Sequence, residues 1–336
     1  MTGGVQMTSR LIWVALLALC GLSTAAGRCE AKCDLEAVAV LPLTLEHDRF
    51  LINADINGHS AKLILATGYF ATALDLKAAD ALGVSMARTD REIYGVGGNQ
   101  HMYRGTVSRM RIGPLNADNA VLVGADMWGA DAPTGWSGRF GMNMMAGYDL
   151  DLDVVGGHAV FLKAKGDCNK PHVALGPELY TVPLEPIRED RQADIIVNID
   201  GHRIKAMLDS GAPHTILYRS AANRLGVDLS PMRAPGHATI VGNGKYPVGV
   251  MQHRFGTVSI GDLQLNNMDV RIIDQESNGI DRTRVGSLLP DTRYDALNGE
   301  EMLIGVDFMR QVHLWISHSS QTVIMQFPPK PSDLPH

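Results

Sequence analysis

An internal repeat constrains the fold of this chain more than any other feature of its sequence. Shifting the sequence by 143 positions aligns residues 52–84 with residues 195–227 without a gap, and fourteen of the thirty-three aligned pairs are identical. Chance does not produce that identity over an ungapped stretch. The 336 residues also suffice for two domains that each bury a core. We therefore expect two structural copies of one unit.

Both copies carry the same succession of local patterns. An alternating apolar segment leads to a turn, at Asn57-Gly58 in copy one and at Asp200-Gly201 in copy two, and a second apolar segment follows. Such turn dipeptides between apolar segments indicate β-hairpins. A short helix that ends at a glycine is then expected in each copy, before Gly83 and before Gly226.

Later segments extend the parallel between the copies. Glycine-rich hairpin tips are predicted at 95–98 and 241–244, and they fit either flaps over a cleft or ordinary hairpin turns. Copy two also has about twenty extra residues, and its polar stretch 274–300 is predicted to be a surface loop.

These patterns predict a mostly β protein with two lobes. The first lobe is expected at 36–165 and the second at 180–329. The intervening segment 166–179 begins with polar residues and turn formers, which suits an exposed linker.

Composition excludes several classes of protein. Apolar residues make up 45% of the chain and charged residues 20%, as in soluble globular proteins. The net charge of -6 and the absence of a basic run argue against binding to nucleic acid, because phosphate recognition needs clustered lysine and arginine.

The N-terminus has the pattern of a secretory signal peptide. Arg10 precedes the apolar run 11–22, and the small residues 23–26 follow it. Twelve apolar residues fall short of the roughly 20 that cross a bilayer, so no stable membrane span is expected. We predict a signal peptide at 1–26 and a periplasmic or secreted protein.

Cleavage near Ala26 would leave Cys29, Cys33 and Cys168 in the mature chain. An oxidising compartment favours pairing of two of them. The spacing of Cys29 and Cys33 lacks a second pair of metal ligands nearby, so a local disulfide or an inert pair is favoured over zinc. No metal site and no cofactor are predicted.

The centre of copy two carries the motif with chemical content. Asp209-Ser210-Gly211 ends an apolar segment, is followed by alanine, and leads through Thr215 into another apolar segment. An apolar-apolar-Gly element follows at 303–305 and, in weaker form, at 139–141 in copy one. This arrangement resembles the retropepsin and pepsin aspartic peptidase family, in a bacterial-type form with two tandem lobes, over nearly the whole mature chain.

The resemblance implies a two-lobed acid protease barrel fold and a peptide or protein substrate in the cleft between the lobes. In that family two close carboxylates share a proton, and the pair activates a water molecule and protonates the substrate carbonyl. Asp209 is then the expected catalytic residue. The expected supporting residues lie in the two active-site loops and are Ser210, Gly211, Thr67 and Gly68. The hydroxyls of Thr67 and Ser210 are expected to bond across to the opposite loop.

Copy one departs from the family pattern at the decisive position. The alignment places Ala66 opposite Asp209, and the bulky Tyr69 stands where copy two has Ala212. Ala66 can neither accept nor donate a proton. Because loss of one member of a catalytic unit commonly lowers the rate by orders of magnitude, we expect impaired peptide hydrolysis.

Nearby residues are poor substitutes for the missing carboxylate. Asp75 is expected on the solvated face of a helix. Tyr69 is expected to fill the cleft rather than to offer its hydroxyl to a substrate, and His214 to be a surface or supporting residue rather than a base.

Three hypotheses follow from these observations. The first is an exported aspartic-type endopeptidase that is weakly active through Asp209, and the second is a non-catalytic peptide-binding or scaffold protein on the same fold. A dimer that joins Asp209 of two chains is disfavoured, because the first lobe already occupies that partner surface. We expect a monomer.

Overall fold

The computed structural model describes residues 33–128, 135–166, 168, 179–185, 192–234, 236–240, 242, 246–276 and 299–327. The predicted signal peptide at 1–26 and Cys29 lie outside the described residues. So do most of the predicted linker 166–179 and most of the predicted loop 274–300.

Strands form most of the described chain. The strands of the first half are β1 (Asp34–Pro42), β2 (Thr44–Glu46), β3 (Arg49–Ile56), β4 (His59–Leu65), β5 (Ala73–Asp75), β6 (Met86–Gly95), β7 (Gly98–Ile112), β8 (Leu115–Ala125), β9 (Trp136–Phe140), β10 (Asp149–Asp153) and β11 (His158–Lys165). Those of the second half are β12 (Leu179–Pro183), β13 (Asp194–Ile199), β14 (His202–Leu208), β15 (Ile216–Tyr218), β16 (Thr239–Ile240), β17 (Val248–Ile260), β18 (Leu263–Ile273), β19 (Met302–Ile304), β20 (His313–Ser317) and β21 (Thr322–Gln326). The helices are α1 (Leu76–Ala81), α2 (Met142–Met145), α3 (Arg219–Arg224) and α4 (Val306–Met309), with a 3-10 helix at Ser230–Arg233.

Each half of the chain closes a barrel. In the described part of the first half, six strands run in the order β3-β4-β9-β5-β8-β7, and the pairing of β3 with β7 closes the ring. The second half repeats this with β13-β14-β19-β15-β18-β17, closed by β13 and β17. The same pairs are parallel in both, β4 with β9 and β14 with β19. The prediction of a mostly β fold built from two copies of one unit is confirmed.

A third sheet joins the two halves. Among the described residues its order is β1-β11-β10-β20-β21-β12, so each half contributes three strands. The junction is the antiparallel pair β10 and β20, in which Leu150 lies opposite Ile316. Buried apolar side chains of both barrels and of this sheet form one continuous core, which holds the two lobes against each other.

The predicted turns and helix ends are present. The hairpins turn at Asn57-Gly58, with φ of 54° and 86°, and at Asp200-Gly201, with φ of 46° and 84°. Two consecutive positive φ angles are those of the type I′ turn that Asn-Gly and Asp-Gly favour. Helices α1 and α3 are followed by Gly83 and Gly226 at φ of 66° and 74°, the left-handed conformation that ends many helices.

The disulfide is one of the pairings that the sequence left open among three cysteines. Cys33 bonds to Cys168 across 135 positions, with a Cα–Cα distance of 4.8 Å. These cysteines flank the β1 and β11 pair, in which Asp34 lies opposite Lys165. The ladder therefore brings together two cysteines that are distant in sequence.

Asp75 is also placed differently from the prediction. Its side chain is only 4% exposed and caps α1, where it accepts hydrogen bonds from the backbone N–H groups of Lys77 and Ala78. Its other oxygen accepts the Met127 backbone N–H at 3.0 Å. Asp75 is a buried helix cap rather than part of a solvated face. None of the described helices is long and apolar enough to cross a membrane.

Candidate active site

Two strand-to-turn loops meet at the interface of the lobes and interlock. The Thr67 hydroxyl donates to the Leu208 carbonyl at 2.7 Å and accepts the Ser210 backbone N–H at 3.0 Å. In return, the Ser210 hydroxyl donates to the Leu65 carbonyl at 2.6 Å and accepts the Thr67 backbone N–H at 3.0 Å. All four bonds are buried, so each loop holds the other in place.

A second set of bonds supports each loop from behind. Thr72 donates through its backbone N–H and its hydroxyl to Asn143 Oδ1, and its hydroxyl accepts the Gly141 backbone N–H. The corresponding residues of the second lobe make the same three bonds: Thr215, Asp307 and Gly305. The two loops thus have equivalent frames, although the sequence spacing to the supporting residue differs between the lobes.

Ala66 and Asp209 face each other across this junction. The Ala66 Cβ and the Asp209 Oδ1 each lie 3.0 Å from the position that a Cβ on Gly211 would occupy, so at most twice that distance separates them. Ala66 is fully buried. The first lobe therefore presents a methyl group where the second presents a carboxyl group.

The Asp209 carboxyl is held by backbone groups at the base of the cleft. Its Oδ1 accepts the Gly211 N–H at 2.8 Å. Burial raises the pKa of Asp209, although the Gly211 N–H and the Arg139 charge act in the opposite direction. A Cβ on Gly68 would lie 2.3 Å from the Asp209 Cγ, so the approach of the loops requires glycine there.

The cleft above this floor is a cavity of about 370 Å³. Ala66 and Asp209 line its floor, and Tyr94, Val96 and Ile240 line it from the strands and tip above. Such a volume suits side chains of a bound peptide or a small ligand.

Residues of the first glycine-rich tip, 95–98, and Gly242 of the second tip form a roof over the cleft. A Cβ on Gly242 would lie 2.6 Å from the Val96 Cβ, so the two tips touch. The Tyr246 backbone N–H donates to the Gly97 carbonyl at 3.0 Å. Gln275 accepts the Gly97 N–H at 2.8 Å and donates to the Gly95 carbonyl at 3.1 Å. The sequence left two interpretations of these tips, flaps over a cleft or ordinary hairpin turns. The described residues of the tips lie where flaps over the cleft would lie.

Tyr69 and His214 both line the cleft. Tyr69 is 8% exposed, and burial raises the pKa of its hydroxyl. His214 is half-buried, with Nδ1 3.8 Å from Asp307 Oδ2. Burial lowers the pKa of His214, and the Arg271 charge adds to that effect. Tyr69 thus fills the first-lobe side of the cleft.

The sequence patterns did not identify three charged residues of the cleft, which are Arg49, Arg139 and Glu300. Arg139 stands where copy two has Leu303, and this charge within an apolar-apolar-Gly element was the available signal. Glu300 fell in the predicted surface loop, but it is 3% exposed and lines the cavity. Nothing local in the sequence distinguishes Arg49 or Glu300 from surface charges.

Two barrels that bring interlocked Xaa-Thr/Ser-Gly loops to the base of a shared, roofed cleft define the aspartic protease fold. The aspartyl protease family model matches residues 52–143 and 195–308, the segments that form most of the two barrels. The chain belongs to the aspartyl protease family.

Similar solved structures include two aspartic proteases. A retropepsin-like aspartic protease from Rickettsia conorii is 16% identical, with a TM-score of 0.31 over 45% of this chain and 92% of that one. An aspartic proteinase from Irpex lacteus is 11% identical, with a TM-score of 0.46 over 86% of this chain and 97% of that one. No curated protein sequence matches this chain.

Proposed function

We propose that this chain is an exported aspartic-type endopeptidase by descent, in which the interlobe cleft binds peptide and hydrolysis is impaired. The observation that carries the proposal is the position of Ala66, buried across from Asp209 within loops that otherwise keep the family geometry. The cleft that would bind peptide is retained, but the site has only one of the two carboxyl groups that peptide hydrolysis needs.

The reaction requires two proton-handling groups at once. One carboxylate removes a proton from the attacking water while a second carboxyl group protonates the carbonyl oxygen of the substrate. Asp209 can take either role, but the Ala66 methyl group can take neither. A lone carboxyl group leaves residual catalysis by orientation and general base action, several orders of magnitude below a complete pair.

A non-catalytic peptide-binding protein is the second candidate. It is favoured by the filling of the first-lobe side of the cleft, where Tyr69 stacks at 5.3 Å against Phe70 and carries the Arg139 guanidinium 5.1 Å from its ring centroid. Bulky groups at this position occupy space next to the floor, where the second copy has the small Ala212.

Export is supported by the apolar N-terminal run and by the disulfide. A disulfide between Cys33 and Cys168 is expected to persist in a periplasmic or extracellular compartment, where thiols are oxidised. Protein recovered from its host should begin near Gly27 and lie outside the cytoplasm. Intact Met1 on soluble cytoplasmic protein would refute this part of the proposal.

A peptide-library experiment separates the two candidates. The mature protein and Asp209→Ala are incubated with a mixture of peptides at several pH values between about 3 and 8, and cleavage products and bound peptides are both measured. Slow cleavage that Asp209→Ala abolishes supports the impaired endopeptidase. Binding without any cleavage supports the binding protein, and fast cleavage that survives Asp209→Ala contradicts both.

A further inference from the structure

Two arginines stand on the first-lobe side of the cleft, where the second lobe has uncharged residues. Arg139 lies on β9, opposite Ile64 of β4 and Ala73 of β5. The matching position of β19 is Leu303, which lies opposite Met207 and Ile216. Arg49 begins β3, and its counterpart in the repeat is Gln192. The charge is therefore specific to one lobe of an otherwise repeated frame.

Both arginines are held in a setting that disfavours an isolated cation. Arg139 is 6% exposed. The Arg49 Nε is buried and has no hydrogen-bond partner among the described residues, and one of its terminal nitrogens donates to the Asp48 carbonyl at 3.1 Å. Burial lowers the pKa of Arg49 to about 10, and the Arg139 charge acts in the same direction. Placing two such cations together is unfavourable unless an anion accompanies them.

Acidic groups share the cleft with the two cations. Asp209 interacts electrostatically with both arginines, yet burial still raises the pKa of Asp209. Among the described residues the buried Arg49 Nε has no hydrogen-bond acceptor, and a carboxylate of the ligand would supply one. Glu300 and His214 line the same cavity from the second lobe, and Asp48 interacts electrostatically with Arg49 and His214.

We propose that Arg49 and Arg139 form a carboxylate-binding subsite in the cleft, so that the protein selects peptides that present a carboxylate beside Asp209. The proposal rests on the proposed function, because it names the chemical class of peptide that the same cleft takes. Guanidinium groups bind carboxylates through paired N–H donors, and a buried cleft strengthens that contact.

Two sources supply this group in a peptide: the C-terminal α-carboxylate, or the side chain of Asp or Glu. A C-terminal carboxylate would place the last residue of the ligand over the floor, whereas an acidic side chain would let the peptide continue past it. The roof formed by the tips around Val96 and Gly242 covers the cavity in both cases.

Binding of three peptide pools to the mature protein tests the proposal. Random octapeptides carry a neutral N-terminal coumarin label, and fluorescence anisotropy reports Kd. The first pool has free C-termini and no acidic residues, the second has amidated C-termini and one Glu, and the third is the second with Gln in place of Glu. We expect the first or second pool to bind at least tenfold more tightly than the neutral third pool, as one charge-assisted contact of about 1.4 kcal/mol gives.

Variants assign the preference to the subsite. Arg139→Leu and Arg49→Gln install the residues of the second copy, and each should remove the preference for peptides with a carboxylate, measured as the ratio of Kd for the neutral pool to Kd for the preferred pool. Arg139→Lys should retain only part of it, because a lysine lacks the paired donors. The matched control is Arg254→Gln, which removes an exposed arginine of β17 that pairs with Asp269 and should preserve the preference. Thermal unfolding checks that each variant is folded. If Arg139→Leu does not fold, Arg49→Gln alone tests the subsite.

Three results would overturn the proposal. The acidic pools bind no better than the neutral pool, or the preference survives both substitutions, or no pool binds up to about 1 mM peptide. In the first two cases the neutral pool still reports peptide binding, so the proposed function stands while the subsite fails. In the third case both fail.

Discussion

Thr67 and Ser210 are equivalent residues of the repeat, 143 positions apart, and they bond to each other across the lobe interface. The Thr67 Oγ1 lies 3.0 Å from the Ser210 backbone nitrogen, and the Ser210 Oγ lies 3.0 Å from the Thr67 backbone nitrogen. These reciprocal bonds indicate that the approximate two-fold axis relating the lobes passes between the two loops. Asp209 and Ala66 immediately precede the two residues, so the same relation places them opposite each other.

Removing one hydroxyl of this interlock should destabilise the whole fold. Thr67→Val keeps the shape but loses the bond to the Leu208 carbonyl and leaves the Ser210 N–H without its acceptor. Leaving buried polar groups unsatisfied costs about 1–3 kcal/mol each, so we expect the free energy of unfolding to fall by at least about 2 kcal/mol in urea titration. Thr44→Val, at an exposed threonine of β2, is the control. An equal, small effect of both changes would contradict the interlock.

Restoring a carboxyl group to the first lobe should create peptidase activity. Ala66→Asp combined with Tyr69→Ala gives the first loop the Asp-Thr-Gly-Ala sequence that matches Asp209-Ser210-Gly211-Ala212. Two carboxyl groups in this position share a proton and raise one apparent pKa, so activity should have an acidic optimum and be blocked by statine-type inhibitors.

The measurement is peptide cleavage by the double variant, the natural protein and the double variant with Asp209→Ala. The triple variant should be as inactive as the natural protein. The added carboxyl group should also lower stability near neutral pH, because two close carboxylates repel. A double variant that folds and remains inactive would count against the assignment of Asp209.

Replacing Asp209 by its uncharged analogue should change stability in a pH-dependent way. Burial raises the pKa of Asp209 above its ordinary value of 3.8, so folding favours the protonated form. The contribution of this group to stability is fully present below about pH 4 and is lost as the pH rises through the folded pKa.

Asp209→Asn should therefore be more stable than the natural protein at pH 7, and the two should converge toward pH 4. Urea unfolding at the two pH values measures this, with the exposed Asp118→Asn as control. A loss of stability at pH 7 would mean that the ionised carboxylate, paired with Arg49 and Arg139, stabilises the fold.

The disulfide should contribute to stability through the long segment that it closes. Cys33→Ser with Cys168→Ser opens a crosslink of 135 positions, and removing a native disulfide typically costs about 2–5 kcal/mol. Unfolding midpoints with and without reductant provide the test. Reductant should lower the midpoint of the natural protein and leave that of the double variant unchanged, and insensitivity of the natural protein would exclude the bond.

Gln275 should hold the roof over the cleft. Its side chain bonds to the Gly97 N–H and to the Gly95 carbonyl at the first-lobe tip. In Gln275→Ala the Gly97 amide loses its acceptor, so hydrogen exchange of the segment 94–98 should accelerate at least tenfold, as loss of about 1.4 kcal/mol of local protection gives. Gln264→Ala, on an exposed part of β18, should leave that exchange unchanged.

The local architecture of each lobe could be predicted because it depends on neighbouring residues. Asn57-Gly58 and Asp200-Gly201 prefer the positive φ angles of tight hairpin turns, and Gly83 and Gly226 end the helices for the same conformational reason. The comparison of the two copies also aligned Ala66 with Asp209 and Thr67 with Ser210 before any contact was known. Repetition supplied the long-range information that a single sequence normally lacks.

The sequence by itself determined the two copies, their strands and turns, the position of Asp209 and its partner Ala66. Only the tertiary structure decided that Cys33 bonds to Cys168, that β10 and β20 join the lobes in one sheet, and that Asp75 is buried. It also decided that Arg49, Arg139 and Glu300 line one cavity. These contacts join residues far apart in the chain, so they depend on how strands pair and barrels close rather than on the preferences of neighbouring residues.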